Sequence, residues 1–176
     1  MQIFETERLT VQEMELKDFP YWRELLSDHR IIDPIPQPIF TEQEIKDKFE
    51  ENRNLKKRIA DNPRIIWGVF VKGDPTMMGL CMLLTNDEGD REIGYRFRVD
   101  YWRKGFATEM TKGLTEFCFK ELGIEKITGD AAIENTGSIK ILNTFMNHVR
   151  DFFNPRDNCT DSRFELHRKD YGGWDK

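Results

Sequence analysis

Apolar and polar positions alternate most regularly in residues 92–99, and the spacing becomes helical after residue 105. In EIGYRFRV every second side chain is apolar, as in a strand with one buried face. The apolar residues that follow recur at steps of three to five, which predicts an amphipathic helix: Phe106, Met110, Leu114, Phe117 and Leu122. Gly123 is expected to end this helix, because glycine accepts the left-handed backbone of a helix C-terminus.

The N-terminal third of the chain predicts one strand and two helices. Residues 8–14 (RLTVQEM) alternate as a strand, and Asp18 is expected to cap the helix that follows. The proline-rich segment 33–38 should be irregular, because proline lacks a backbone donor. Thr41 and Glu44 have the spacing of a capping box.

The charged helix that this box opens should run to about Ile59. Its few apolar residues, Ile45 and Phe49, indicate a helix that lies over the surface.

Two turns, at residues 73–75 and 86–89, divide the middle of the chain into antiparallel strands at 64–71, 77–84 and 92–99. After the central helix, residues 125–133 predict another strand. A strand–helix–strand unit implies a parallel pair with a right-handed crossover.

The C-terminal part predicts a second amphipathic helix at 138–146, a loop at 151–162 (DFFNPRDNCTDS), a closing strand at 163–168 and a loose tail. No repeat or boundary divides the chain. The sequence therefore predicts one α/β domain, residues 1–176, with a mostly antiparallel mixed sheet that contains one parallel pair and is flanked by helices.

Residues 103–108 (RKGFAT) join the central strand and helix, and they combine two cations with small side chains. A helix N-terminus presents unpaired N–H groups and the positive end of the helix dipole, so this loop is a candidate phosphate site. Neither a Walker A motif nor a three-glycine dinucleotide motif occurs in the sequence. The alternative is an ordinary basic helix N-terminus with solvated cations.

The loop resembles the signature Gln/Arg-x-x-Gly-x-Gly/Ala of the GNAT acetyltransferases. Gly105 and Ala107 stand at its two small positions, and Trp102 replaces the usual Gln or Arg. EIGY at 92–95 and TERL at 6–9 are similar to the RimJ/RimL branch. The resemblance implies a GNAT-like fold with acetyl-CoA as co-substrate and no metal.

The resemblance also implies roles for single residues. Glu92 would act as the base and Ser138 as the general acid, and Asn135 would contact the cofactor with Ser138. The pantetheine arm would be bound by backbone groups of Phe97, Arg98 and Val99. The loop residues that would bind the pyrophosphate are Arg103, Lys104, Gly105, Phe106, Ala107 and Thr108.

Each catalytic role has a structural alternative. Glu92 could equally be a solvated strand residue or pair with Arg91. Asn135 and Ser138 are both good helix N-caps. Many relatives donate the proton from a tyrosine near the end of this helix, but residues 143–149 contain none.

Residues 143–147 (NTFMN) also depart from the family's usual Glu-Lys-Leu-Gly-Phe. Phe152 and Phe153 are expected either to pack in the core or to line an acceptor pocket. Five further residues are predicted to be core rather than functional: Trp67, Met77, Met78, Trp102 and Cys118.

Composition narrows the function classes. A formal net charge of −5 over 176 residues, with a pI near 5.4, argues against nucleic-acid binding. No apolar run suits a signal peptide or a membrane span. Three cysteines at no metal-ligand spacing indicate a reducing cytoplasm and no metal site.

The sequence therefore predicts an acetyl-CoA-dependent N-acetyltransferase. Its acceptor would be a protein N-terminal α-amine or a small amine, and a homodimer is compatible with it. The carboxylates of residues 42–51 and 87–92 would favour a cationic acceptor if they flank the cleft. The alternative is an acyl-CoA-binding sensor or interaction module that has lost turnover.

Overall fold

Eight strands form one sheet, in the order β1-β2-β3-β4-β5-β6-β8-β7, in the computed structural model, which describes residues 1–35, 37–54, 59–155 and 157–173. The strands are β1 (Gln2–Glu5), β2 (Leu9–Gln12), β3 (Arg64–Val71), β4 (Met77–Thr85), β5 (Arg91–Phe97), β6 (Lys126–Ala132), β7 (Asn147–Asn154) and β8 (Cys159–His167). The helices are α1 (Phe19–Ser27), α2 (His29–Ile32), α3 (Glu42–Arg53), α4 (Phe106–Lys120) and α5 (Thr136–Phe145). Only β5 and β6 run parallel among these neighbouring strands, which confirms the predicted mixed α/β sheet.

The parallel strands β5 and β6 pair only at their beginnings, where Arg91 faces Ile127 and Glu92 faces Thr128. Farther along, residues 93–97 stay paired with β4 and residues 129–132 stay paired with β8. The sheet therefore opens into a V-shaped gap between β5 and β6. This gap is the feature that positions the candidate site.

Helices cover the two faces of the sheet in different places. On one face, Met110 and Leu114 of α4 and Leu142 of α5 join a large apolar cluster with Ile93 and Phe97 of β5. On the opposite face, α1 and α3 pack over β3 and β4 in a second cluster. In this cluster the Trp22 indole N–H donates to the Ile45 carbonyl at 3.1 Å.

Helix α3 is highly charged, and Ile45 and Phe49 are its buried residues. The Thr41–Glu44 capping box is present, as predicted. However, the helix ends at Arg53 rather than near Ile59, which lies in a short 3-10 helix. Residues 55–58, the other part of that prediction, lie outside the described residues.

Several other boundaries differ from the prediction. The strand predicted at 8–14 is confined to β2, and β1, which was not predicted, pairs with it. Asp18 is the N-cap residue of α1, as predicted, but its side chain forms no capping hydrogen bond with α1 and instead accepts the Glu15 N–H at 2.8 Å. The second amphipathic helix begins two residues earlier than expected, at Thr136.

The prediction of a loop at 151–162 is wrong. Strands β7 and β8 form an antiparallel hairpin through this region, in which Asp151 pairs with Ser162 and Phe153 with Thr160. Backbone pairing across the hairpin stabilises a segment whose side chains lack a simple strand pattern. Phe153 is 62% exposed and so is not a core residue, whereas Phe152 is half-buried beneath the Arg163 guanidinium.

Four of the five predicted core residues are buried: Trp67, Met77, Met78 and Cys118. Trp102 is the exception, with 40% of its surface exposed. The longest described helix, α4, has 15 residues and several charged side chains, and none of the described helices has the length and apolar character of a membrane span.

Gly79 sets how closely β4 approaches β5. A Cβ atom on Gly79 would lie 2.5 Å from the Arg96 carbonyl oxygen, and backbone cannot move aside cheaply. We expect Gly79→Ala to lower the free energy of unfolding by about 1–3 kcal/mol, measured by urea denaturation. Gly94→Ala is the control, because the nearest atom to its Cβ would be Met82 Cβ at 3.5 Å, and it should change stability by at most about 0.5 kcal/mol. Equal unfolding midpoints for the two variants would contradict this account.

Candidate functional site

The gap between β5 and β6 exposes one edge of β5. The Arg98 N–H donates to the Met78 carbonyl of β4 at 3.0 Å. Because backbone groups alternate along a strand, those of Tyr95 and Phe97 point the other way, into the gap. An extended ligand arm could add to this edge as an extra strand does.

Trp102 folds back onto this edge. Its indole N–H donates to the Phe97 carbonyl at 2.7 Å, which explains why this tryptophan lies on the surface and not in the core. The Arg98 carbonyl accepts from the Tyr101 N–H, and the Val99 carbonyl accepts from the Trp102 N–H. The N–H groups of Phe97 and Val99 are therefore the candidate donors from residues 97–99 to a pantetheine arm.

Helix α4 begins at the end of this edge without a side-chain cap. Gly105 is its N-cap residue, with a φ of 78°, and no side chain of the described residues caps the first turn. The first N–H groups of a helix have no partner within the helix, so they are available to an anion. An uncapped, glycine-entered helix N-terminus of this kind suits a diphosphate such as that of CoA.

Arg103 also has a positive φ, of 60°. A non-glycine residue in this left-handed region carries a strain of about 1–2 kcal/mol. Glycine would adopt this backbone conformation without that strain. Arg103 and Lys104 are exposed, so their charges are accessible to a ligand at the helix N-terminus.

The N-terminus of α5 lies beyond β6 and is capped by its own side chain. Asn135 is the N-cap residue, and its amide oxygen accepts the Ser138 N–H at 3.2 Å. The capping interpretation is therefore correct for Asn135, whereas Ser138 lies within the first turn of α5 and its hydroxyl does not cap the helix. Capping by Asn135 is compatible with a contact between Ser138 and a ligand.

Tyr95 is a candidate residue that the sequence did not single out. Its hydroxyl is buried beside the Ser138 side chain but forms no hydrogen bond of normal geometry with a described residue. Burial raises the pKa of Tyr95 to about 12, an effect that the Ser138 side chain partly opposes. The phenol is thus fully protonated at neutral pH. In the sequence, Tyr95 is the middle apolar residue of an alternating strand, and this pattern does not distinguish a functional residue from a core residue.

Glu92 lies at the closed end of the gap, in the last residue pair before β5 and β6 separate. Alternation places it on the face that α1 covers, with Gly94 and Arg96. Arg91 lies on the opposite face, where its Nη1 donates to the Asn62 carbonyl and the Thr85 hydroxyl. This arrangement disfavours the Glu92–Arg91 pair that the sequence left open.

Arg96 carries a half-buried cation on the same face. Its Nη1 donates to the Leu25 carbonyl at 3.0 Å, and its Nη2 donates to the Gln37 side-chain oxygen at 2.8 Å. Burial, followed by the charge of Arg64, lowers the pKa of Arg96 to about 10. These hydrogen bonds connect the end of α1 and the proline-rich segment to β5.

Asp130 of β6 and Arg163 of β8 form a buried ion pair on this face, with Nε and Nη2 of Arg163 at 2.9 and 2.7 Å from the carboxylate. Arg163 is only 1% exposed and also bonds Asp87 at 2.6 Å. Burial raises the pKa of Asp130, while the Arg163 contacts act against that rise. A charged residue inside an otherwise apolar strand was the signal in the sequence that could have revealed this pair.

Three carboxylates at the base of the sheet lie within 4.8 Å of one another: Glu88, Asp90 and Glu165. The Lys126 ammonium group contacts Asp90 at 2.5 Å and Glu165 at 3.5 Å. This lysine supplies positive charge to the cluster.

Comparison with known proteins agrees with this geometry. The sequence model of the Acetyltransferase (GNAT) domain matches residues 8–145. The Uncharacterized N-acetyltransferase p20 of Bacillus licheniformis is 28% identical, over 98% of this chain and 100% of that protein.

Two solved structures extend the comparison. A GNAT-family acetyltransferase from Bacillus anthracis has a TM-score of 0.80 and 25% identity, covering 96% of this chain and 99% of that one. RimL, the ribosomal L7/L12 alpha-N-protein acetyltransferase, solved in complex with coenzyme A, shares the fold with a TM-score of 0.76 at 12% identity, covering 95% of this chain and 98% of its own. Because the family model spans most of the chain, the chain belongs to the GNAT family and is an acetyltransferase.

Proposed function

We propose that the chain, as one domain of residues 1–176, transfers an acetyl group from acetyl-CoA to a primary amine. The amine would attack the thioester directly in a ternary complex. The observation that carries this proposal is the gap between β5 and β6, which has the uncapped N-terminus of α4 at its open end. An extended arm in the gap and a diphosphate at the helix would be held by one continuous surface.

The gap connects the two faces of the sheet, and the candidate groups lie on different faces. Glu92 belongs to the α1 face, whereas Tyr95 and Ser138 belong to the face that α4 and α5 cover. Acetyl-CoA would supply a reactive thioester. The amine must lose a proton on one side of the reacting carbon, and the thiolate must gain one on the other. Because the candidate groups lie on opposite faces of the sheet, the amine would be deprotonated from one side and the thiolate protonated from the other.

Glu92 would accept the proton of the amine through water. Glu92 and Tyr95 are three positions apart, about 10 Å along a strand, and their side chains lie on opposite faces of the sheet, which favours proton transfer from the amine through water. Gly94, the next residue on that face, has no side chain to block a chain of water molecules. Tyr95, protonated and beside Ser138, would supply the proton for the thiolate, alone or through the Ser138 hydroxyl.

The acceptor would be a protein N-terminal α-amine, as the name of RimL states for that protein, or a small amine. The cationic acceptor suggested by the sequence would be repelled by one group, because the half-buried Arg96 cation lies on the α1 face of the sheet, the same face as Glu92. The free thiols of Cys81, Cys118 and Cys159 support a cytoplasmic location.

A panel of peptides, polyamines and amino acids, with detection of the released thiol, tests the proposal. Turnover with any of these amines supports the enzyme. Tight acetyl-CoA binding without turnover on the whole panel would instead favour a sensor of the same fold.

Acetyl-CoA should stabilise the fold. At a hundredfold excess over Kd, a ligand of the native state adds about 2.7 kcal/mol, which raises the melting temperature by several degrees. Gly105→Glu should abolish this shift, since its carboxylate would repel the diphosphate at the helix N-terminus. NAD serves as the control ligand. Absence of any shift with millimolar acetyl-CoA in the wild type would refute the proposed co-substrate.

Glu92→Gln should lower kcat/KM by roughly 10²–10⁴ at neutral pH, the usual range for loss of a general base. The loss should shrink as pH rises, because more of the amine then arrives unprotonated. Affinity for acetyl-CoA should stay unchanged, since the amide has the same size. The measurement is a pH–rate profile of both proteins, and superimposable profiles would remove Glu92 from the mechanism.

Tyr95→Phe should lower the activity without lowering the stability. Removing a buried hydroxyl that lacks a good hydrogen bond should leave the free energy of unfolding unchanged or raise it by about 1 kcal/mol. The same change should lower kcat by about 10²-fold if the phenol donates the proton. Tyr171→Phe is the matched control, because Tyr171 packs on Phe119 outside the gap. A normal kcat in Tyr95→Phe would leave proton donation to Ser138 or water.

A further inference from the structure

The turn between β1 and β2 is hydrogen-bonded to Glu109, in the first turn of α4. The Thr6 hydroxyl and the Arg8 N–H donate to Glu109 Oε1 at 2.6 and 2.7 Å, and Arg8 Nε donates to Oε2 at 2.6 Å. These partners lie 101–103 residues apart in sequence. The TERL segment and the glutamate after the loop are therefore two halves of one contact.

This contact governs the charge at the N-terminus of α4. Burial would raise the pKa of Glu109, but the hydrogen bonds from Thr6 and Arg8 prevail and lower it, so the carboxylate stays ionised. An ionised glutamate in the first helical turn would repel a diphosphate bound at the same place. Arg8 neutralises that charge and holds the carboxylate away on the β1 side.

The Arg8 guanidinium extends past Glu109 to the loop itself. Its Nη1 donates to the Lys104 carbonyl at 3.2 Å, and the guanidinium lies over the Phe106 ring, 4.6 Å from the centroid. Its Nη2 lies 3.4 Å from the point where a Cβ of Gly105 would be. Nη2 bonds no group in the described part of the chain, and 45% of the Arg8 side chain is exposed.

We propose that Arg8 is a cofactor-binding residue, whose Nη2 donates to the diphosphate of the acyl-CoA at the N-terminus of α4. Two of its three nitrogens are bonded to Glu109 and Lys104, so the guanidinium is held in place before the ligand arrives. A cation fixed in this way loses little side-chain entropy on binding. The inference rests on the proposed co-substrate and adds to it a residue that lies outside the loop signature.

The test compares two ligands by isothermal titration calorimetry. Coenzyme A carries the diphosphate, whereas S-acetylpantetheine has the same arm without diphosphate or nucleotide. Arg8→Met should weaken coenzyme A binding by about 10- to 100-fold, the range for loss of a charge-assisted hydrogen bond, and should change S-acetylpantetheine binding by less than about twofold. Equal weakening of both ligands would overturn the proposal in favour of a general defect of the gap.

Two further variants isolate direct contact from charge masking. Arg8→Met/Glu109→Gln removes both charges: continued weak binding of coenzyme A supports direct contact, and recovery to the wild-type affinity overturns it. Arg8→Lys keeps a charge near Glu109 but cannot bridge to the loop, and it is the variant to measure if Arg8→Met fails to fold. Its affinity should be intermediate, and wild-type affinity in Arg8→Lys would overturn the need for a guanidinium.

Arg168→Met is the matched control, because Arg168 pairs with Glu125 at 3.0 Å and is 46% exposed, like Arg8, but lies at the other end of the sheet. It should bind both ligands normally. Coenzyme A binding by the wild type distinguishes a failure of the proposed co-substrate from a failure of the proposed role of Arg8. If the wild type does not bind coenzyme A, the proposed co-substrate is wrong; if it does and Arg8→Met binds equally well, only the role of Arg8 is wrong.

Discussion

The short parallel pairing of β5 and β6 is the constraint on which the rest of the site depends. Two residue pairs hold the strands together at their beginnings, and each strand then follows a different antiparallel neighbour. The separation leaves backbone donors and acceptors of β5 without a neighbouring strand inside a continuous sheet. Buried backbone groups need partners, so such an edge favours an extended ligand. Trp102 already satisfies one acceptor, the Phe97 carbonyl.

Because β5 and β6 are parallel, the helices that follow them both begin at the open end of the gap. Two helix N-termini, each with a positive dipole end, thus lie on the same side of the molecule. They differ in one respect. Asn135 caps α5 with its own side chain, whereas Gly105 leaves α4 uncapped. A side chain of the protein itself accepts from an N-terminal N–H group of α5, whereas the N-terminal N–H groups of α4 remain available to an anion.

Contacts between distant parts of the sequence determine the charge around the gap. Arg8 reaches Glu109 from the turn between β1 and β2, and Arg163 reaches Asp87 and Asp130 from β8. Arg8 thus neutralises the charge of Glu109, and Arg163 neutralises part of the charge of Asp87 and Asp130. The N-terminal residues are therefore part of the architecture of the loop, although they lie outside its signature.

The sequence by itself determined the elements whose side-chain periodicity is simple. Strand β3, the β4–β5 hairpin, helix α4 and the glycine that enters it all follow from alternation, helical spacing and turn residues, which are local properties. It did not determine that β7 extends to Asn154 and that β8 begins at Cys159, because backbone pairing with β6 and within the hairpin stabilises these segments. Nor did it place Tyr95 beside Ser138, 43 residues away in the numbering. Those contacts depend on how β5, β6 and α5 pack, and only the tertiary structure decided them, since a burial or a charge pair between distant residues has no local pattern.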